Sequence, residues 1–169
     1  MSEAATGVDV VIEAEEWEGA GLEALAARAC GAALTFLARP GAEVVVLGCD
    51  DARIAALNAD FRGKPRATNV LSWPAQDPAP REPGARPVPP DADELGDIAI
   101  AYETCRDEAA AQGKTLVDHA THLLIHATLH LAGYDHENDP DAELMEATET
   151  AILATLGIDD PYAEPASRD

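Results

Sequence analysis

The chain has 169 residues, 47% of them hydrophobic, which is enough for one domain over 1–169 with a core of its own. No apolar run is long enough to span a bilayer, and the start "MSEAATGVDV" has neither the basic region nor the apolar stretch of a secretory signal, so a cytoplasmic protein without a membrane partner is expected. The formal charge of −21 argues, taken alone, against a nucleic-acid partner, because phosphates repel such a surface.

Along the chain, β-branched residues make 8–15 a strand, and leucines and alanines at helical spacing make 19–38 a helix that stops at "RPG". A short apolar run predicts a buried strand at 42–49. Asp50 or Asp51 then caps a helix through "ARIAALNADF". Strands follow at 68–74 and 95–103. Between them, prolines and charges crowd out any apolar pattern, which predicts an exposed, irregular loop at about 74–94. The second half turns helical: one helix breaks at Gly113, a long one runs from Thr115 to Leu131, and a last one spans Pro140 to Leu156, ahead of a flexible acidic C-terminal tail. Alternation followed by helices points to an α/β or α+β sandwich with one small sheet.

Cys30, Cys49 and Cys105 are odd in number and lack any C-x-x-C pairing, which suits reduced thiols acting as small buried fillers. The charge is unevenly spread. Arg62, Lys64 and Arg66 fall within "RGKPR", whereas the acidic excess sits in "HENDPDAELMEATE" and "GIDDPYAEP". A local cationic spot on an acidic body can hold a phosphate, and from charge alone a solvated loop reads as well.

Three of the five histidines lie in "IHATLHLAGYDHE" with the spacing H-x3-H-x5-H. Two histidines four apart on a helix share a face, about 6 Å apart along the axis. Both can reach one metal, and Gly133 can turn the chain so that His136 returns to it. Three neutral nitrogens leave a position open for water, as in a catalytic zinc site. His122, His126 and His130 form a rival row, but its outer members are about 12 Å apart along the axis, too far to close on one ion. His119 and His122 are therefore expected in structural or supporting roles. Asp135 either orients an imidazole N–H or serves as a plain turn aspartate, and Tyr134 is expected to pack against the sheet. Zinc peptidases place a glutamate base directly after the first histidine, where this chain has Ala127.

With these residues in hand, the chain resembles the YbeY family of bacterial endoribonucleases, the rRNA maturation factors. "HATLHLAGYDH" (126–136) matches a signature that looks like H-G-x-L-H-L-x-G-Y-D-H, and "LNADFRGKPRATNVLSWP" (57–74) and "LGDIAIA" (95–101) resemble two further blocks in the family's order. Ala127 replaces the family's glycine, Asn69 and Trp73 depart from a strand block that commonly reads T-D-V-L-S-F, and segment 74–94 is longer than the usual connection.

The resemblance implies an α+β fold: a small mixed four-stranded sheet packed with about five helices, with a three-histidine metal site after the long central helix. It implies one zinc ion per chain on His126, His130 and His136, although three histidines also bind other transition metals. Arg62 is similar to an arginine implicated in activity on RNA, with Lys64 and Arg66 expected to hold the neighbouring backbone. The expected function is single-strand-specific, metal-dependent endoribonuclease action in the cytoplasm, maturing the small-subunit rRNA 3′ end and serving ribosome quality control. The partners expected are rRNA, the ribosome or its proteins, and an accessory recruitment protein. Two other readings stand beside it: a metal-dependent hydrolase of another bond, and a ribosome-assembly binding protein with a structural metal. Ala127 speaks against the first, and the open coordination position against the second.

Overall fold

Glycine and alternating β-branched residues make the first strand, β1 (Gly7–Ile12). It ends earlier than its apolar pattern suggests, because the Glu13 and Ala14 amides both donate to the Gly48 carbonyl, at 2.8 and 3.1 Å, and turn the chain. The structure, a computed structural model, describes residues 7–76, 79, 81–89 and 93–162, without the Phe61 side chain. The part of the expected acidic tail from residue 163 onward lies outside the described residues.

A short helix that the sequence pattern does not reveal follows, α1 (Glu15–Gly19). Trp17 anchors it: the side chain is fully buried, and its Nε1–H donates to the Cys49 and Ile100 carbonyls at 3.0 and 3.1 Å, bridging two strands. The helix expected over 19–38 is α2 (Leu22–Phe36), which starts late because Gly21 sits in the left-handed region. After β2 (Glu43–Cys49), α3 (Asp51–Arg62) is capped by the Asp50 carboxylate, which accepts from the Arg53 N–H at 2.8 Å. Asp51 instead accepts from the Thr104 N–H and hydroxyl, tying α3 to the later helix α4 (Tyr102–Gln112).

Strands β3 (Val70–Pro74) and β4 (Glu94–Ala101) complete a sheet of order β1-β2-β4-β3. The β1–β2 and β2–β4 pairs are parallel and β3–β4 is antiparallel, so the sheet is mixed and β3 is an edge. The expected strand at 95–103 stops at Ala101 because Tyr102 begins α4. Helices α5 (Leu116–Leu131) and α6 (Asp139–Thr155) follow, capped by the Thr115 and Asn138 side chains. Among the described residues the fold is thus α+β, a four-stranded mixed sheet with six helices, the short α1 being the addition to the expected five.

Helix α5 carries the core. Leu124, Ile125, Leu129 and Leu131 are at most 1% exposed, and the helix packs against α2, α4, α6, β3 and β4. Each such side chain contributes roughly 1.5–3 kcal/mol by leaving water. The histidines on α5 are therefore held by a helix with almost no freedom to shift. The proline-rich loop has no helix or strand between Pro74 and Glu94 among its described residues, as expected. It is not uniformly exposed, however: Pro87 is buried and the Arg81 side chain is only 15% exposed. No helix among the described residues is long and apolar enough to cross a membrane.

Candidate functional site

The α3 helix ends at Gly63, whose φ of 69° is the left-handed conformation that suits glycine. This releases the exposed loop carrying Lys64 and Arg66 beside the last turn that holds Arg62. The loop faces α5 across a cavity of about 810 Å³ lined by Arg62, Lys64, Arg66, His122, His126, His130 and His136, together with strand β3. Chain segments far apart in sequence, the cationic loop and the histidine helix, form two walls of one cleft. Ala127 and Tyr162 also border it.

Arg62 donates from Nη2 to the Ser72 carbonyl at 3.1 Å. No carboxylate among the described residues forms an ion pair with Arg62.

Two of the three candidate ligands have one ring nitrogen committed. The His126 Nδ1–H donates to Glu149 Oε2 at 2.6 Å, and the His130 Nδ1–H donates to the Tyr134 carbonyl at 3.0 Å. These bonds fix the tautomer and leave each Nε2 lone pair without a protein partner among the described residues, the state of a metal-binding imidazole. His136 comes from the turn beyond Gly133, which has φ 108°, and its ring centroid lies 5.5 Å from that of His126. Burial pushes the His130 pKa down, against the hydrogen bond to the Tyr134 carbonyl and with the nearby His126, His136 and Arg62, which favours the neutral ring.

Among the described residues, no group of three or more His, Cys, Asp or Glu side chains is gathered closely enough to hold a metal ion as it stands. The expected three-histidine site is therefore not a formed shell. The donor chemistry fits a metal all the same: three imidazoles border one cleft, two of them with Nε2 free and Nδ1 buttressed.

Glu149 is the residue that sequence reasoning missed. It is fully buried and joins three groups, accepting from His126, from His122 Nε2 at 2.7 Å and from the Tyr162 hydroxyl. Burial would raise its pKa, but the hydrogen bonds from His122 and His126 outweigh burial and hold it at about 2. It lies one turn from Met145 on the buried face of α6, so a glutamate on an apolar stripe was the available signal. His122 shares this carboxylate, which places it one hydrogen-bonded step from His126. His119 donates instead to Glu108 at 2.8 Å, outside the cleft.

Asp135 does not touch an imidazole. Its carboxylate accepts from the Glu137 amide at 3.3 Å and lies 3.9 Å from Arg81, so the turn role is the one found. Tyr134 is buried in the core, as expected. The three cysteines are free and buried, and burial pushes Cys30 up to about 11 and Cys49 up to about 12, so they are poor nucleophiles.

A family model described as Endoribonuclease YbeY matches residues 10–157 of the chain. A relative of that name from Paracoccus denitrificans is 64% identical over 93% of this chain and 90% of its own length. Another from Cereibacter sphaeroides is 56% identical over 92% of this chain and 98% of its own. A solution structure of a Thermotoga maritima protein, 20% identical, covers 95% of this chain and 99% of its own with a TM-score of 0.53, a likeness of fold.

Proposed function

Because this chain belongs to the YbeY family of endoribonucleases, we propose that it cuts RNA in the cleft where its cationic loop faces its histidines, with a metal held by His126, His130 and His136. The observation that carries this reading is the shared cavity bordered by Arg62, Lys64 and Arg66 on one side and the histidines on the other. Zinc suits three imidazole nitrogens and, when bound, supplies Lewis acidity toward water and phosphoryl oxygens.

The chain's own residues supply positioning and charge. Arg62, without a carboxylate partner among the described residues, presents its planar N–H donors to the scissile phosphate as negative charge accumulates there, an effect of about 10²–10³ in rate. Lys64 and Arg66, both exposed, hold the neighbouring phosphates. Glu149 and the Tyr134 carbonyl keep the His126 and His130 rings in place. Ala127 is 1% exposed and carries no acid–base group, so the proton handling of a zinc peptidase is missing. RNA suits such a site, because its ribose 2′-OH is a nucleophile already attached to the substrate.

The substrate we propose is single-stranded rRNA, with maturation of the small-subunit 3′ end and ribosome quality control in the cytoplasm as the setting. A body with a net charge of −21 repels free RNA, which favours recruitment by the ribosome or an accessory protein.

Cleavage of a defined rRNA precursor by the purified protein tests the reading, with Arg62→Ala and His130→Ala in parallel. Each variant is expected to cut about 10²–10³ times more slowly. Wild-type rates in both overturn the mechanism, and full metal content in His136→Ala overturns the ligand set.

A further inference from the structure

We propose that Arg81, from the proline-rich loop, is a positioning residue for His136, the third metal ligand; the proposal rests on the metal reading above. The turn between α5 and α6 runs from Gly133 to Asn138 and has little to hold its middle. Among the described residues, the hydrogen bond from the Glu137 amide to Asp135 at 3.3 Å is the one within 135–137, and His136 is exposed. Its geometry is therefore set mainly from its ends, with the Asp135 carboxylate, 3.9 Å from Arg81, as a further tie.

Arg81 grips both. Its Nη2 donates to the Gly133 carbonyl at 3.2 Å, at the start of the turn. Its Nη1 donates to Asp141 Oδ1 at 2.6 Å, just past the end. Asp141 in turn accepts from the Asn138 side-chain amide at 2.8 Å and from the Gly84 N–H at 2.8 Å. One guanidinium thus joins the start of the turn, the cap of α6 and its own loop. The Arg81 and Asp141 side chains are 15% and 7% exposed, so the charge-assisted bonds are shielded from water. The planar fork spans two acceptors at once, which a lysine ammonium cannot reproduce. His126 and His130 need no such support, since both ride on α5. His136 alone depends on the turn, and the loop supplies its second anchor.

The test measures Zn²⁺ affinity of the full chain by competition with a chromophoric chelator, and the visible spectrum of the Co²⁺-loaded protein. Wild type, Arg81→Gln, Arg81→Lys, Asp141→Asn and His136→Ala are compared, with thermal unfolding of each metal-free form. Arg81→Gln is expected to bind Zn²⁺ roughly 10–100-fold more weakly, the usual loss when a residue supporting a ligand is removed. Its Co²⁺ spectrum is expected to move toward that of His136→Ala, and Arg81→Lys to recover part of the affinity. Wild-type affinity and spectrum in folded Arg81→Gln overturn the proposal, even if its unfolding temperature falls. Should Arg81→Gln not fold, Asp141→Asn decides on the same two readouts. If His136→Ala binds Zn²⁺ as tightly as wild type, the ligand reading has failed and this proposal with it. If His136→Ala binds weakly while Arg81→Gln is unchanged, this proposal alone is overturned.

Discussion

The Nδ1 of His126 and the Oε2 of Glu149 lie 2.6 Å apart, joining α5 to α6 at the rim of the cleft. Glu149 sits where a carboxylate is costly, in a fully buried position, and three donors compensate the burial. We predict that Glu149→Ala leaves the His126 N–H unpaired and His122 with only the Tyr162 hydroxyl at 3.1 Å, destabilising the fold by about 1–3 kcal/mol. Metal affinity is expected to fall roughly 10–100-fold as the His126 ring loses its orientation. Urea denaturation of the metal-free protein measures the first effect and chelator competition the second. Unchanged metal affinity would show that the pair is structural only.

The cationic loop makes a quantitative prediction. Lys64 and Arg66 are exposed beside the cleft, so on the proposed reading each meets RNA through phosphate charge rather than base identity. Removing either is expected to reduce the slope of log K against log salt by about 0.7, the value for one phosphate on a single strand. Fluorescence anisotropy with an oligoribonucleotide across a salt series reads this directly. A slope equal to wild type in the double alanine variant would remove the loop from the RNA path.

Ala127 borders the cleft yet is buried on a helix that packs on nearly all sides. Ala127→Gly, the family's usual letter, is expected to cost about 1 kcal/mol through helix propensity while leaving cleavage unchanged. Paired denaturation and cleavage assays check this. A large loss of cleavage at full metal content would give the Ala127 methyl a role in the reaction.

Asp141 gives the chain a measurable acid limit. The Arg81 guanidinium, then the Gly84 N–H, hold its carboxyl at about 2, below the ordinary 3.8. A depressed carboxyl favours the folded state when ionised, so its contribution is complete above pH 3.8 and disappears as pH falls through about 2. Asp141→Asn is expected to lose less stability than wild type between those limits, as followed by thermal unfolding across pH. Parallel curves would mean that the pair contributes no pH-dependent stability.

What the sequence made legible was local. The strands and α5 follow from apolar periodicity, and the histidines from spacing on one helix face plus a glycine turn. Even the cap at Asp50 was readable, as one of two adjacent candidates. The short α1 was not, because its five residues carry no period and depend on Trp17 reaching carbonyls of β2 and β4. Glu149 was hidden inside an acidic run where its charge looked like solvated surface. The task of Arg81 was hidden for a related reason: its partners lie 52 and 60 positions away, beyond any pattern that a window of sequence can hold.

The sheet ends at β3, and its unpaired side borders the cleft. The Ser72 carbonyl, which takes no ladder bond to β4, is occupied by Arg62. Peptides bound in extended form add themselves to such an edge through its free carbonyls and amides. Here the arginine proposed to meet the scissile phosphate also plugs an acceptor of the kind an incoming polypeptide needs. On that reading the cleft is guarded against protein substrates by its rim as well as by the missing glutamate, and the guard and the proposed RNA contact are one side chain.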